Sequence, residues 1–369
     1  MICNRVKVVN FRNITEAEVT FGEGVNVLSG ENAQGKTNLL EAIFFSAIGK
    51  SFRTNHEDEM IRLGESFAEV SIDFTDSVRE QNLTVRLMNG KRRRIEHNRV
   101  RLSRVSEVVG LLRTVLFCPE HLSLVKDGPG ERRAFLDVAV SQLYPVYLKA
   151  LQNYNRILAQ RNKLIRDADK NPEAFRQTVE FWSEQLAAES AVVAGYRQNY
   201  IRRLDPVVRE LFCEMTDGKE KPELIYEPSP RMDGETVADR EKTKERVLEQ
   251  LMNNHERELA AGTTLWGVHK DDLHVRLNGN DARSFASQGQ QRSVALAMKL
   301  AEGEICREEC GEIPVFLFDD VFSELDASRR NYLASKLTGR QVIITSCEPT
   351  VPGGRVIRVE NGTYRAVSP

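Results

Sequence analysis

The chain has 369 residues, 41% of them hydrophobic, and a formal net charge of −2. That length and apolar content can bury a sizeable core spread over two or three lobes, and a net charge so near zero excludes bulk-charge binding to nucleic acid or anionic lipid, so any such contact has to be a local patch. No apolar run approaches the roughly 20 residues of a membrane span, and Arg5 and Lys7 interrupt the first apolar stretches, so a cytoplasmic location with no membrane contact is expected.

Cys3, Cys118, Cys213, Cys306, Cys310 and Cys347 lack the dense spacing of a secreted disulfide framework and read as reduced thiols. Cys306 and Cys310 lie one helical turn apart. With no second Cys or His pair nearby, they read as neighbours on one helix face rather than as metal ligands.

In chain order, residues 6–9, Phe21 and residues 25–29 read as short strands, the last running into a glycine-rich loop and then a helix carrying Leu39, Leu40, Ile43, Phe44 and Ala47. Residues 68–116 read as strands separated by turns, with Asn89-Gly90 a strong hairpin signal and Asn98-Arg99 a weaker one, so an antiparallel meander is predicted. After Asp127-Gly128-Pro129-Gly130 the period becomes helical: Leu143, Tyr147, Leu151, Tyr154 and Leu158, then Phe175, Val179, Trp182 and Leu186, then Val193, Tyr196, Tyr200 and Leu204. Two long helices forming a short arm follow, each of about 30 residues and roughly 45 Å. Residues 218–234 read as a loop, and residues 247–259 as a helix whose His255 packs on an apolar stripe. The apolar runs 315–318 and 342–345 return to sheet, so the two chain ends are expected to share one lobe, with the helical middle inserted.

The chemistry concentrates in three segments. In GENAQGKT, residues Gly30, Glu31, Asn32, Ala33, Gln34, Gly35, Lys36 and Thr37, the glycines let backbone N–H groups turn toward phosphate oxygens. Lys36 brings a charge to the β- and γ-phosphates, and the Thr37 hydroxyl can ligate Mg²⁺. ATP is the expected ligand. The run VFLFDD ends in Asp319 and Asp320, at the strand end where ligands of open α/β sheets bind. Asp319 is expected at the metal, and Asp320 is expected to orient or deprotonate the attacking water. Third, Ser287, Gln288, Gly289 and Gln290 precede a helical run beginning at Val294, a helix start that caps itself or binds an anion.

The order of these segments, with Ser323-Glu324-Leu325-Asp326 after the acid pair, resembles the ABC-type ATPase heads that include the SMC proteins and their DNA-repair relatives. The resemblance covers nearly the whole chain and extends to Asn10-Phe11-Arg12-Asn13, Lys50-Ser51-Phe52-Arg53-Thr54, Phe117-Cys118-Pro119-Glu120, Arg132-Arg133 and Phe135-Leu136-Asp137. It implies an α/β fold: a mixed sheet around the phosphate-loop helix, an antiparallel meander, and an inserted helical lobe. The expected limits are residues 1–125 and 306–369 for the ATPase lobe and 126–305 for the helical lobe. It also implies that Arg12 and Asn13 join the nucleotide site, and that Ser287, Gln288, Gly289, Gln290 and Asp326 complete the site of a second copy. Two ATP molecules would then be sandwiched in a homodimer, and slow hydrolysis would release it. Three departures stand out. Asp320 replaces the usual Glu, Thr345-Ser346-Cys347 lacks the usual switch His, and Phe52 and Gly267-Val268-His269-Lys270-Asp271-Asp272 differ from the relatives' usual residues.

Lys91, Arg92, Arg93, Arg94, Arg99, Arg101 and Arg104 stand against one acid, Glu96, in the predicted hairpin region. Such a run is often only a solvated face. The resemblance favours DNA, and seven phosphate contacts would give a salt slope of about −6. Arg53, Lys126, Arg132 and Arg133 are further candidates. Gapped or single-strand-containing DNA is the implied substrate, with RecR and RecO as partners, RecA loaded indirectly and the SOS response supported. A transporter's nucleotide-binding subunit would share the phosphate loop, but about 250 residues between Thr37 and Ser287 are too many for one. A DNA-processing ATPase whose hydrolysis drives cutting or translocation is a third reading, but nuclease chemistry needs a further carboxylate or His cluster for metals, and none appears in the sequence.

Overall fold

The computed structural model describes residues 1–347 and 354–367. The first strands are β1 (Ile2–Phe11), β2 (Ile14–Thr20) and β3 (Val25–Ser29), followed by helix α1 (Lys36–Ile48). Strands β4 (Phe67–Thr75), β5 (Glu80–Met88), β6 (Lys91–His97), β7 (Val100–Arg101) and β8 (Thr114–Phe117) come next. In β4, Ala68, Val70, Ile72 and Phe74 are buried while their neighbours are not, the period-2 pattern of a strand with one core face. The antiparallel sheet runs β2-β1-β4-β5-β6-β7. Asn98 and Arg99 both have positive φ, 50° and 66°, which gives the tight β6–β7 turn the twist its strands need.

The predicted meander therefore ends at Arg101. Strand β8 is buried at all four positions and pairs in parallel with β12 (Val315–Asp319) in a second sheet. That sheet is completed by β13 (Val342–Ser346), β14 (Arg355–Glu360) and β15 (Thr363–Ala366) in the order β15-β14-β3-β13-β12-β8. It takes strands from both ends of the chain. Its apolar parallel strands have few polar positions to mark period 2, as expected when both faces are covered.

The middle of the chain holds α2 (Pro129–Leu143), α3 (Pro145–Arg166), α4 (Pro172–Thr216), α5 (Gly234–Ala238), α6 (Arg240–Asn253), α7 (His255–Ala261) and α8 (Ala282–Phe285). A small antiparallel sheet accompanies them, with β9 (Pro222–Glu227) and β11 (Asn280–Asp281) on either side of β10 (Asp272–Leu277). Strand β9 lies inside the segment read as a loop: its Pro and charged flanks masked the short alternation that buries Leu224 and Tyr226. Tyr144 closes α2 and Pro145 opens α3, so Leu143 and Tyr147 do not share a helix. The arm is unequal. Helix α3 has 22 residues and α4 has 45, the latter spanning about 67 Å, with its apolar tip formed by Ile165, Ala168, Phe175 and Val179. His255 stacks edge-on against Phe175 at 5.8 Å.

Two compact units result, Met1–Ser123 with Ala295–Pro369, and Leu124–Val294. The division falls within helix α9 (Gln288–Cys310) rather than after residue 305, because Ala295, Leu296, Ala297 and Met298 are fully buried. Helix α10 (Ala327–Lys336) follows β12. Among the described residues no helix is long and apolar enough to cross a membrane.

Candidate nucleotide site

Strand β3 ends at Ser29, and the chain turns through residues 30–35 into α1 with Ala33 at φ 64° and Gly35 at φ 113°. Among the described residues no side chain caps α1, and no acid stands in its first turn. Its first N–H groups therefore point, with the positive end of the helix dipole, toward the space the loop encloses. Lys36 is 7% exposed and folds over the loop, donating to the carbonyls of Gly30 and Glu31, the latter at 2.9 Å.

Parallel pairing of β3, β13 and β12 brings the acid pair beside this loop. The hydroxyls of Thr37 and Thr345 each donate to Oδ1 of Asp319 at 2.8 Å. Asp319 is 7% exposed. Burial pushes its carboxyl above the ordinary range, against the pull of the two hydroxyls, and the charge of Asp320 adds to the rise. Asp320 has φ 49° and donates its N–H to Thr345 Oγ1 at 2.8 Å. A hard hydroxyl and a carboxylate oxygen side by side suit a Mg²⁺ ion. At the place where a switch His was expected, Cys347 Sγ lies 3.6 Å from Lys36 Nζ and donates to Asn32 Oδ1 at 3.1 Å.

Asn13 reaches the loop: Nδ2 donates to the Ala33 carbonyl at 3.1 Å, and Oδ1 accepts from Asn38 at 2.7 Å. Arg12 does not. Its guanidinium makes a two-pronged pair with Glu41, at 2.9 and 2.7 Å, and donates to the Glu59 carbonyl. Glu41 is fully buried on α1 and also accepts from Ser51 and Arg53. Its acid charge inside an apolar helix stripe was the sequence signal for this anchor. Phe52 packs edge-on against Phe44 at 5.7 Å.

Ser287 accepts from the Gln290 N–H at 3.3 Å, and Gln290 Oε1 accepts from the Ser287 N–H at 2.6 Å. This is a capping box that leaves Ser287 and Gln288 exposed, while the Gly289 carbonyl accepts from Ser293 at 3.0 Å. Asp326 caps α10 through the Arg329 N–H at 2.9 Å.

The basic candidates separate by burial. Lys91, Arg92, Arg94, Arg99, Arg101 and Arg104 are exposed, as is Lys126. Arg93 is not available: it donates to the Gly49 carbonyl at 2.6 Å, pairs with Glu57 at 2.7 Å and lies over the Phe45 ring, where burial lowers its pKa. Its charge at the C-terminal end of α1 complements the helix dipole. Arg132 is 4% exposed and pairs with both oxygens of Asp272, at 2.7 and 2.8 Å. Arg133 donates to the Asp271 carbonyl at 2.7 Å. Asp271 is itself buried and accepts from Arg197 at 3.0 Å, from the Ser229 N–H at 2.8 Å and from Tyr226. The segment at residues 267–272 is thus a structural knot, with Gly267 at φ 127° hard against Tyr154.

A parallel strand that feeds such a loop, one strand removed from a strand whose terminal acid meets the loop threonine, belongs to an ATPase head of the ABC type. Solved structures agree on the fold: the SMC head from Pyrococcus furiosus superposes with a TM-score of 0.57 at 17% identity, covering 100% of this chain and 96% of that one. A model of the RecF/RecN/SMC N terminal domain family matches residues 2–354. The DNA replication and repair protein RecF of Alkaliphilus oremlandii is 38% identical over 346 residues, 94% of this chain and 93% of that protein. RecF of Acetivibrio thermocellus is 35% identical over 371 residues, 99% and 100% of the two chains. A recombination mediator protein RecF of the RecFOR pathway, solved with ATPrS, superposes with a TM-score of 0.93 at 33% identity, covering 99% of this chain and 98% of that one. The chain belongs to the RecF family of DNA replication and repair proteins.

Proposed function

We propose that this protein is an ATP-gated DNA-binding module of recombinational repair, and that ATP binds across residues 30–37 with Lys36 on its β- and γ-phosphates. The observation that carries this reading is the Thr37–Asp319 hydrogen bond at 2.8 Å, because it fixes a metal-ligating pair at the mouth of an uncapped helix. The RecF chains solved with ATP and ATPrS support it. Thr37 and Asp319 would hold Mg²⁺, which would supply positive charge against the phosphates. Lys36 holds the phosphates from the loop side, and Asp320 orients the attacking water. Asp320 is one methylene shorter than Glu, which suits slow hydrolysis used as a timer.

Ser287 and Gly289 of one subunit, with Asp326, would close on the ATP of another, so the dimer persists only while the γ-phosphate does. The exposed basic residues of β6 and β7 would then grip gapped DNA by its backbone. RecR and RecO are the expected partners and RecA the indirect beneficiary, in keeping with the RecFOR pathway of the solved relative. A cytoplasmic site of action follows from DNA as substrate. The test is fluorescence anisotropy of a labelled gapped duplex with the full chain. Binding should strengthen with ATP and Mg²⁺, and Lys36→Ala should abolish that gain. Equal binding with and without ATP would overturn the reading.

A further inference from the structure

The phosphate loop is gripped from outside by the C-terminal hairpin. Strand β14 lies parallel to β3, with Arg358 opposite Ser29, so β14 ends where the loop begins. It then turns through Asn361 and Gly362, at φ 49° and 73°, into β15. The Gly362 N–H donates to the Gln34 carbonyl at 2.9 Å, and the Asn361 N–H donates to Gln34 Oε1 at 2.6 Å. The Tyr364 hydroxyl donates to the Gly35 carbonyl at 2.8 Å. Gly30 fits only because it has no side chain, since a Cβ there would lie 2.3 Å from the Val359 carbonyl.

A trans peptide is planar, and its C=O and N–H point in opposite directions. The hairpin meets the carbonyls of two consecutive peptides, those of Gln34 and Gly35, and the Gly35 carbonyl also accepts from the Leu39 N–H of α1 at 3.1 Å. The N–H groups of Gly35 and Lys36 belong to the same two peptide planes and are therefore directed away from the hairpin, toward the space over the helix N-terminus. Gly35 adopts a φ of 113°, outside the range an L residue prefers, and an unbraced loop would sample other conformations at this point. Burial raises the Tyr364 hydroxyl's pKa, which keeps it a hydrogen-bond donor at all working pH values.

We infer that the β14–β15 hairpin is a brace that presets the phosphate loop, with Tyr364 and Gln34 as positioning residues for ATP affinity. This rests on reading residues 30–37 as the ATP site. The role gives the Gln34 side chain a partner of its own outside the loop, the Asn361 N–H. It also explains why the C-terminal strands belong to the ATPase rather than serving as a dispensable tail.

The experiment measures KM and kcat for ATP, and ATP binding by calorimetry, on the full chain and on Tyr364→Phe, Gln34→Met and Thr363→Ala. The last is an exposed position of the same hairpin. One lost hydrogen bond should raise KM and Kd about fivefold in each of the first two variants, with kcat at saturation and the melting temperature unchanged, and Thr363→Ala should match the unaltered chain. A general structural lesion would instead lower Tm and kcat together and would overturn the brace. So would KM values within 1.5-fold of the unaltered chain in both Tyr364→Phe and Gln34→Met. Failure of the unaltered chain to bind ATP would overturn the nucleotide reading itself, and the brace with it.

Discussion

The hydroxyl of Thr37 meets the carboxylate of Asp319 at 2.8 Å although 282 residues separate them. Asp319→Asn keeps an oxygen that can accept from Thr37 and Thr345 but removes the metal-binding charge. Phosphate release should fall at least about 100-fold. The same variant should melt no lower than the unaltered chain. Burial raises the Asp319 pKa, so its ionised form opposes folding at neutral pH, and stability is regained only as pH falls through the raised value. Thermal melting beside a phosphate-release assay checks both halves.

Arg132 was a DNA candidate by sequence, and the structure gives it a different role. Arg132→Ala leaves Asp272 without its buried partner and should cost about 3–5 kcal/mol of stability. The salt dependence of DNA binding by the folded fraction should not change. Urea unfolding and binding titrations at several salt concentrations separate the two effects.

The exposed ribbon behaves differently. If Lys91, Arg92, Arg94, Arg99, Arg101 and Arg104 all meet phosphates, the slope of log affinity against log salt is about −5, and each Ala substitution among them reduces it by about 1. Arg93→Ala should lower stability and leave the slope alone, because its charge is held by Glu57 and the Gly49 carbonyl.

His269 predicts an acid sensitivity. Its Nε2 donates to the Thr264 carbonyl at 3.1 Å, so Nδ1 of the neutral ring accepts from Tyr154 at 2.5 Å, and burial lowers its pKa to about 4. The unfolded chain takes up this proton near pH 6.5, before the folded one does. Stability is therefore complete above pH 6.5 and is lost as pH falls toward 4, by about 3 kcal/mol from this group. Urea midpoints against pH should show a shallower decline over that window in His269→Gln.

Much of the site was legible because its parts are local. The phosphate loop, the apolar strand before it and the acid-ended strand each announce themselves within a few residues. What escaped was set by pairing between distant segments. Thr345 and Tyr364 matter only because β13 and β14 flank β3, and no local pattern states that order. Arg93 and Arg132 look like their exposed neighbours in sequence, and it is partners across the fold, Gly49 and Glu57 for Arg93 and Asp272 for Arg132, that distinguish them. Arg12 was drawn toward the nucleotide by resemblance, whereas the buried charge of Glu41 holds it. The β8 segment reads in sequence as part of the meander because four buried residues carry no mark of the sheet they join.

In the proposed dimer each nucleotide site is completed by a second copy. The most direct test mixes Lys36→Ala subunits with Ser287→Arg subunits and follows ATP-dependent dimerisation on gapped DNA. Each variant alone carries a lesion in both of its sites, whereas a mixed dimer can place both lesions on one site and leave the other whole. Recovery of dimerisation on mixing is the predicted result. Mixtures no more active than either variant alone would contradict the shared site.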